Sequence, residues 1–571
     1  MSKQRNFFTI GRIAAVSISL LVSFLFFLTS NLPAGEIEPN FAEYLKTLAS
    51  DEFTSAIVIM ADQADIKSLN ATLKTERATM KERHLRVLSA LESVASRSQG
   101  DITGYLEAEK INGSVRGYTK YWIMNLMVVE ATRKELENIS ARADVEMVES
   151  NFKVSLIEPV GKRGGRLEIP NKGIGVTPGL RAINAPRVWH ELGITGLGRL
   201  VGNIDTGVDG AHPALANRWR GTHEPWQECW RDALGGGTTF PTDNGQHGTH
   251  VMGTLCGLGA STGDTIGVAW QAEWIADNAI NQYTGPAFDN DILDAFQWMA
   301  DPDGNPSTTD DVPDVVQNSW GIDHRFSGYS DCDYRWQTVI DNCEAAGVVV
   351  TFSAGNEGPS PRTQRSPANI CNTPVTNFSI GAVDATHYGF PYPIADFSSR
   401  GPSDCDGITK KPEVSAPGVQ VYSSVPGGSY EQYGWDGTSM AGPHVAGVVA
   451  LMRQANPNLD VDSIKYILMN TAIDLGVHGE DNDYGRGLID AYEAVRAVMP
   501  IIYVFGDANG DGLVDLSDIV YLISYLYKSG PAPDPLASGD PSADCLIDLA
   551  DVIYLISYLY KNGPAPQQGC A

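Results

Sequence analysis

The amino-acid sequence predicts an α/β protein. A doubly wound, mainly parallel sheet spans residues 177–499, with a small α/β sandwich before it at 50–158 and a small α-helical unit after it at 501–571. Three observations predict this. Between Thr177 and Met499, short apolar runs alternate with helical stretches, the pattern of strands covered on both faces. Between Ser55 and Leu156, segments read strand, helix, strand, helix, strand, which suits a small two-layer unit. The last region is an internal repeat: Asp515-Leu-Ser-Asp-Ile-Val-Tyr-Leu-Ile-Ser-Tyr-Leu-Tyr-Lys528 returns as Asp548-Leu-Ala-Asp-Val-Ile-Tyr-Leu-Ile-Ser-Tyr-Leu-Tyr-Lys561, and Gly-Pro-Ala-Pro follows each copy.

A chain of 571 residues is too long for one core, so several folded units are expected. With 43% hydrophobic and 19% charged residues it is globular rather than disordered. A net charge of −28 argues against a nucleic-acid partner, because phosphate binding needs clustered Lys and Arg. Residues 1–34 read as a signal peptide: Lys3, Arg5 and Arg12 precede the uncharged run Ile13 to Leu28, and Pro33-Ala34-Gly35 offers a cleavage point. The alternative is an uncleaved anchor. A secreted protein follows from the first reading. Eight cysteines suit an oxidising compartment. The expected pairs are Cys332–Cys343, Cys371–Cys405 and Cys545–Cys570, with Cys256 a buried thiol.

In chain order, Ser55 to Met60 is a buried strand, and Val87, Leu88, Leu91, Val94 and Ala95 recur on one helical face. Tyr121 to Val129 is strand-like, Glu130 to Arg142 helical, and Val145 to Leu156 a closing strand. Residues 159–176 form a Gly-rich, basic linker of the kind proteases cut. Leu200–Ile204, Asp314–Asn318, Gly347–Phe352 and Phe378–Val383 are the clearest strands of the large unit, each running into a polar or Gly-containing loop. In such sheets the ligand crevice lies beyond the carboxyl ends of the strands.

Those loops carry chemistry. Asp205 stands in Asp-Thr-Gly-Val-Asp after the first strand, His247 in His-Gly-Thr-His, and Ser439 in Gly437-Thr-Ser-Met-Ala-Gly-Pro-His444 at the start of an apolar helix. A serine hydroxyl attacks only when a base takes its proton. His247 suits that base, and Asp205 suits the group that orients it. Asp-Thr-Gly also marks aspartic proteases, but no second copy exists to share the proton. His247 and His250 could hold a metal, yet the glutamate of His-Glu-x-x-His is missing, which leaves His250 as a packing residue. Ser439 alone would read as a helix cap.

Together with Asn318-Ser-Trp-Gly, Ser353-Ala-Gly-Asn-Glu-Gly358 and Glu413-Val-Ser-Ala-Pro-Gly-Val, these motifs resemble subtilisin-like serine peptidases over about Thr177 to Met499. The resemblance implies an endopeptidase acting on polypeptides through an acyl-enzyme, with a monomeric catalytic unit and no organic cofactor. It implies that Asn356 and the Ser439 N–H donate to the oxyanion. Ser319, Trp320 and Gly321, with Ser353, Ala354 and Gly355, would line the substrate strand and first specificity pocket. The rival from another class is a catalytically silent scaffold, which would be free to lose one of the four residues Asp205, His247, Ser439 and Asn356.

The unit at 50–158 resembles inhibitor-type propeptides of that family, through Glu130-Ala-Thr-Arg-Lys-Glu-Leu and Asp144-Val-Glu-Met-Val-Glu-Ser. A zymogen is implied, held by its own propeptide until autocleavage between Glu158 and Arg181. In the tail, Asp507, Asn509, Asp511, Asp515 and Asp518 fall at positions 1, 3, 5, 9 and 12 of a loop, the oxygen spacing Ca²⁺ requires. The second copy offers Asp540, Ser542, Asp544, Asp548 and Asp551, and Leu513 and Leu546 would give main-chain carbonyls. Loop plus helix, duplicated, resembles dockerin and implies a cohesin or cell-surface partner. Leu516-Ser517 and Leu549-Ala550 depart from the Ser-Thr common in dockerins, and Cys545 stands where the first loop has the turn residue Gly512. Further calcium in the catalytic unit is implied without assignable ligands.

Overall fold

The computed structural model describes residues 35–161, 176–259, 265–280, 288–322, 328–329, 332, 335–499 and 503–570. The expected signal segment and most of the linker lie outside them.

The N-terminal unit is a five-stranded sheet in the order Glu36–Ile37, Val145–Ser150, Phe53–Met60, Leu126–Thr132, Val115–Tyr121. The helix Met80–Asn112 starts at a capping box between Thr79 and Glu82 and ends at Gly113. Its buried face includes Val87, Leu88, Leu91, Val94 and Ala95, as the periodicity predicts. The strand predicted at Tyr121 to Val129 is instead a hairpin, Val115–Tyr121 and Leu126–Thr132. Its turn was hidden because it is apolar: Ile123 is fully buried, and the Trp122 and Ile123 amides donate to Gln297 Oε1 of the large unit at 2.6 and 3.2 Å. The helix predicted from Glu130 accordingly begins later, at Arg133, where the Thr132 hydroxyl accepts the Glu135 amide. The closing strand also divides. Val145–Ser150 stays in the sheet, whereas Val154–Leu156 leaves it and pairs antiparallel with Trp320–Ile322.

The large unit has seven parallel strands in the order Val414–Pro417, Phe378–Val383, Val349–Ser353, Val315–Asn318, Leu200–Asp205, Glu273–Asn278, Trp230–Arg231. From Leu200–Asp205 the chain runs to the edge strand Trp230–Arg231, returns with Glu273–Asn278 to fill the gap, then crosses to Val315–Asn318 on the other side. The switch point therefore lies between these two central strands. The helices His247–Cys256 and Thr438–Ala455 pack against each other, while Asp291–Ala300 and Thr338–Ala346 form a second pair that meets the N-terminal unit. Thr438–Ala455 is buried on every side through Arg453, consistent with its apolar sequence.

In the tail, Leu516–Lys528 and Leu549–Lys561 pack through Ile519, Leu522, Val552 and Leu555. Cys545–Cys570 forms as expected. The other two expected pairs do not: Cys332 bonds Cys405, and Cys343 and Cys371 are free. Spacing in the chain says nothing of direction here, since Cys343 points into the core from the helix Thr338–Ala346 and is fully buried. Cys256 is a buried free thiol. Among the described residues no helix is long and apolar enough to cross a membrane.

Candidate active site

Asp205 ends the central strand Leu200–Asp205, and His247 opens the helix His247–Cys256 that packs against it. Close approach requires Gly248, because a Cβ there would lie 2.0 Å from the Gly207 carbonyl oxygen. The result is a buried contact, His247 Nδ1 to Asp205 Oδ1 and Oδ2 at 2.9 and 3.0 Å. Burial alone pushes the imidazole pKa down; the Asp205 charge and hydrogen bond, then Asp243 and Glu158, outweigh it and raise the group above its ordinary value of 6.5. His250, three residues on, stacks on Trp435 with centroids 4.4 Å apart and meets the Val421 carbonyl oxygen at 3.1 Å. Burial pushes it down to about 3, so it is a neutral packing residue.

Ser439 lies in the first turn of Thr438–Ala455, one residue inside the helix rather than at its cap, which is Gly437. Its Oγ donates to the Ile157 carbonyl oxygen at 2.9 Å, and His247 Nε2 is buried with no hydrogen-bond partner. Asn356 is held in one orientation: its Oδ1 accepts from Thr438 N and Oγ1 at 2.9 and 3.0 Å, which turns Nδ2 to the Glu158 carbonyl oxygen at 2.9 Å.

Residues 154–160 thus thread the cleft. Trp320 pairs with Leu156, Gly321 with Ser155 and Ile322 with Val154. Beyond them, the Ile157 amide donates to Ser319 O at 3.0 Å and the Val160 amide to Asp436 O at 2.8 Å. Ile157 is buried and Glu158 is exposed. Of the expected pocket residues, Ser319 and Ser353 face each other, Oγ to Oγ 3.2 Å, and Gln317 Nε2 donates to both. Ala354 and Gly355 follow on the next strand end; Gly355 N donates to Thr438 Oγ1 at 3.1 Å. Trp320 meets the threaded strand through its main chain only, for its ring is buried edge-on to Phe296 and Phe352.

A model of the Subtilase family matches residues 196–487, just over half of the chain. The chain belongs to the subtilase family. Bacillopeptidase F of Bacillus subtilis (strain 168) is 38% identical over 476 residues, 80% of this chain but 32% of that protein. Fervidolysin of Fervidobacterium pennivorans is 30% identical, covering 69% of this chain and 57% of its own. Subtilisin E of Bacillus subtilis (strain 168) is 32% identical over 320 residues, 56% of this chain and 71% of its own. The crystal structure of fervidolysin, described as a keratinolytic enzyme related to subtilisin, aligns with a TM-score of 0.52 at 23% identity over 81% of this chain and 64% of that one. The chain therefore spans about a third of bacillopeptidase F and under two thirds of fervidolysin.

Two positioning residues of this subtilase escaped the sequence reading. Asp243 accepts from the amides of Gly245, Gln246 and Thr249 and from the hydroxyls of Thr206 and Thr249, which ties the start of the His247 helix to the loop after Asp205. A lone aspartate in a loop carries no signal of that. Thr438 sits inside the serine motif, and only its contact with Asn356 reveals what it does.

In the tail, Asp507, Asp518, Asp540 and Asp551 are buried, and oxygens of Asp540, Asp544 and Asp551 lie within 4.8 Å of one another. Asp507 accepts the amides of Gly510, Asp511 and Gly512, and Asp518 those of Asn509 and Asp515. Asp515 and Asp548 cap the two helices, Asn509 Nδ2 donates to Asp511, and Ser542 Oγ to Asp540. The side chains of Leu513 and Leu546 face solvent. Among the described residues no cation pairs with these carboxylates. An all-oxygen donor set of this kind fits Ca²⁺.

Proposed function

We propose that the chain is a secreted serine endopeptidase made as a self-inhibited zymogen, with Asp205, His247 and Ser439 as its triad. The observation that carries this is the cleft itself: a peptide strand sets one carbonyl oxygen on Ser439 Oγ and the next on Asn356 Nδ2, with its Glu158 near enough to act on the charge of the Asp205-paired His247. In the reaction, Ser439 Oγ gives its proton to His247 Nε2 as it attacks a substrate carbonyl. Asn356 Nδ2 and the Ser439 amide hold the resulting oxyanion. His247 then protonates the departing amine, and water repeats the sequence on the acyl-enzyme. Asp205 keeps Nδ1 protonated and stabilises the imidazolium.

The N-terminal unit is read as the inhibitory propeptide. Its segment 154–160 fills the substrate groove, and the Ile157 carbonyl occupies the Ser439 hydroxyl that the base needs. Main-chain pairing with Ser319–Ile322 accepts many sequences, so the natural substrates are polypeptides read by side-chain pockets. The tail is read as a dockerin-like module. Asp507, Asn509, Asp511, Asp515 and Asp518, with their second-copy counterparts, would hold Ca²⁺, and the exposed Leu516, Val520, Leu549 and Ile553 would face a cohesin or cell-surface partner.

A fluorophosphonate probe tests the peptidase reading. Processed protein is expected to label at Ser439, and Ser439→Ala protein not at all. Equal, weak labelling of both would end it.

A further inference from the structure

The loop after the helix Asp291–Ala300 carries carboxylates that the cleft does not use. Asp301, at the C-terminal end of that helix, Asp303 and Asp311 bring oxygens within 4.8 Å of one another. Asp301 is 6% exposed and Asp311 2%. One oxygen of each is accounted for: Asp301 Oδ1 accepts the Asn305 amide and Asp311 Oδ2 the Asp303 amide, both at 3.0 Å. The other two, Asp301 Oδ2 and Asp311 Oδ1, are buried without a partner. Among the described residues no lysine, arginine or histidine pairs with the three; the Arg220 guanidinium goes to Asp310 and Glu273 instead.

Such an arrangement is costly by itself. Buried anions need a counter-charge, and the end of a helix adds negative partial charge to the cluster. The three carboxylates bring like charges together in one loop, two of them buried. A bound dication offsets that repulsion.

We propose that this loop is a Ca²⁺ site of the subtilase unit, with Asp301, Asp303 and Asp311 as its carboxylate ligands. The donors are hard oxygens, with no histidine or cysteine among them, which disfavours zinc. The irregular loop suits the flexible shell of Ca²⁺ better than the strict octahedron of Mg²⁺. The ion would brace a mechanically important connection: Asp311 and Asp314 lead into Val315–Asn318, and the next residues, Trp320–Ile322, form the edge on which the threaded strand lies.

The experiment counts ions. Full-length Ser439→Ala protein, which cannot digest itself, is compared with the same protein also carrying Asp301→Asn and Asp311→Asn, by equilibrium dialysis against ⁴⁵Ca²⁺. The double substitution is expected to bind one ion fewer while the tail ions remain, and to lose several degrees of Tm in Ca²⁺ but little in EDTA. An unchanged ion count in folded protein, or an equal loss of Tm in EDTA, overturns the proposal. Should the double variant not fold, Asp303→Asn alone is expected to weaken one class of site at least tenfold. Crystals of the full chain soaked in Tb³⁺ supply the direct readout: an anomalous peak among the three carboxylates supports the assignment, and its absence there overturns it.

Discussion

At the scale of single residues, the site depends on side chains held rather than merely present. Asn356 is aimed because Thr438 donates twice to its Oδ1, which leaves Nδ2 facing the cleft carbonyl. Asn356→Ala is therefore expected to lower kcat by about 100- to 1000-fold with KM little changed, as steady-state kinetics would show, because the donor acts on charge that develops in the transition state. Titration of His247 gives a second expectation. In the proposed reaction the imidazole must be neutral to accept the Ser439 proton, and its pKa is raised above 6.5, so kcat/KM should fall as pH drops through a midpoint above 6.5 and hold level at higher pH. Asp205→Asn removes the largest raising influence. It should lower that midpoint and cut kcat by about 10⁴-fold, and a pH–rate profile with an unmoved midpoint would contradict the electrostatic account. The residues of this network that lie in motifs were legible in the sequence. Asp243 was not, because its work is five hydrogen bonds to backbone and threonines that only the folded loop brings near.

At the scale of elements, the N-terminal unit grips the subtilase unit at several places, among them the cleft strand, the turn after Tyr121 and the face of the helix Met80–Asn112. On that face His84 is 1% exposed, and burial, only partly offset by the Ala346 main chain and the Asp303 charge, pushes its pKa down to about 4. Ala346 and Gly347 lie beside it, with Lys81, Arg199 and Arg453 among the cations lining that junction and Asp310 and Asp314 among the anions. A depressed histidine favours the docked state fully above its free pKa, near 6.5. That contribution is lost as pH falls towards about 4, to a limit of roughly 3 kcal/mol. Processed protein preincubated at pH 4.5 and assayed at pH 8 should thus recover activity faster than protein kept at pH 7. His84→Leu should abolish the difference, and a persistent difference in that variant would assign the effect elsewhere. Why these contacts were not read from sequence is physical. Trp122, Ile123 and Met124 of the turn are apolar because the turn is docked, so hydrophobic periodicity merged two strands into one. Likewise Val145 to Leu156 reads as a single strand, although its last residues belong to the other unit's cleft. The central strands were legible because both faces are covered and their runs are continuously apolar.

At the scale of the whole molecule, the tail repeats one design twice, and the second copy replaces both left-handed glycines of the loop, Gly510 by Ala543 and Gly512 by Cys545. Gly512 has φ +88° and Cys545, its counterpart, φ +67°, a left-handed conformation that costs a residue with a Cβ roughly 1–3 kcal/mol unless its surroundings enforce it. What enforces it is the bond to Cys570, which fastens the segment after the helix Leu549–Lys561 to the loop; the Cys570 amide also donates to Asp540 Oδ2 at 2.9 Å, the carboxylate at loop position 1. At Cys545 the second loop therefore borrows from that segment what the first obtains from Gly512. Calorimetry of Ca²⁺ binding should resolve this asymmetry. In the oxidised protein both loops are expected to bind. Reduction, or Cys570→Ser, should weaken the second site by tenfold or more and leave the first unmoved, whereas Asp518→Ala should abolish the first alone. Peptidase turnover on a small peptide should not change in any of these variants, since the triad and cleft draw no residue from the tail. If the weaker isotherm did not respond to reduction, the loop would be holding its turn without the bridge, and the strain argued for Cys545 would have to be relieved by the loop's own hydrogen bonds.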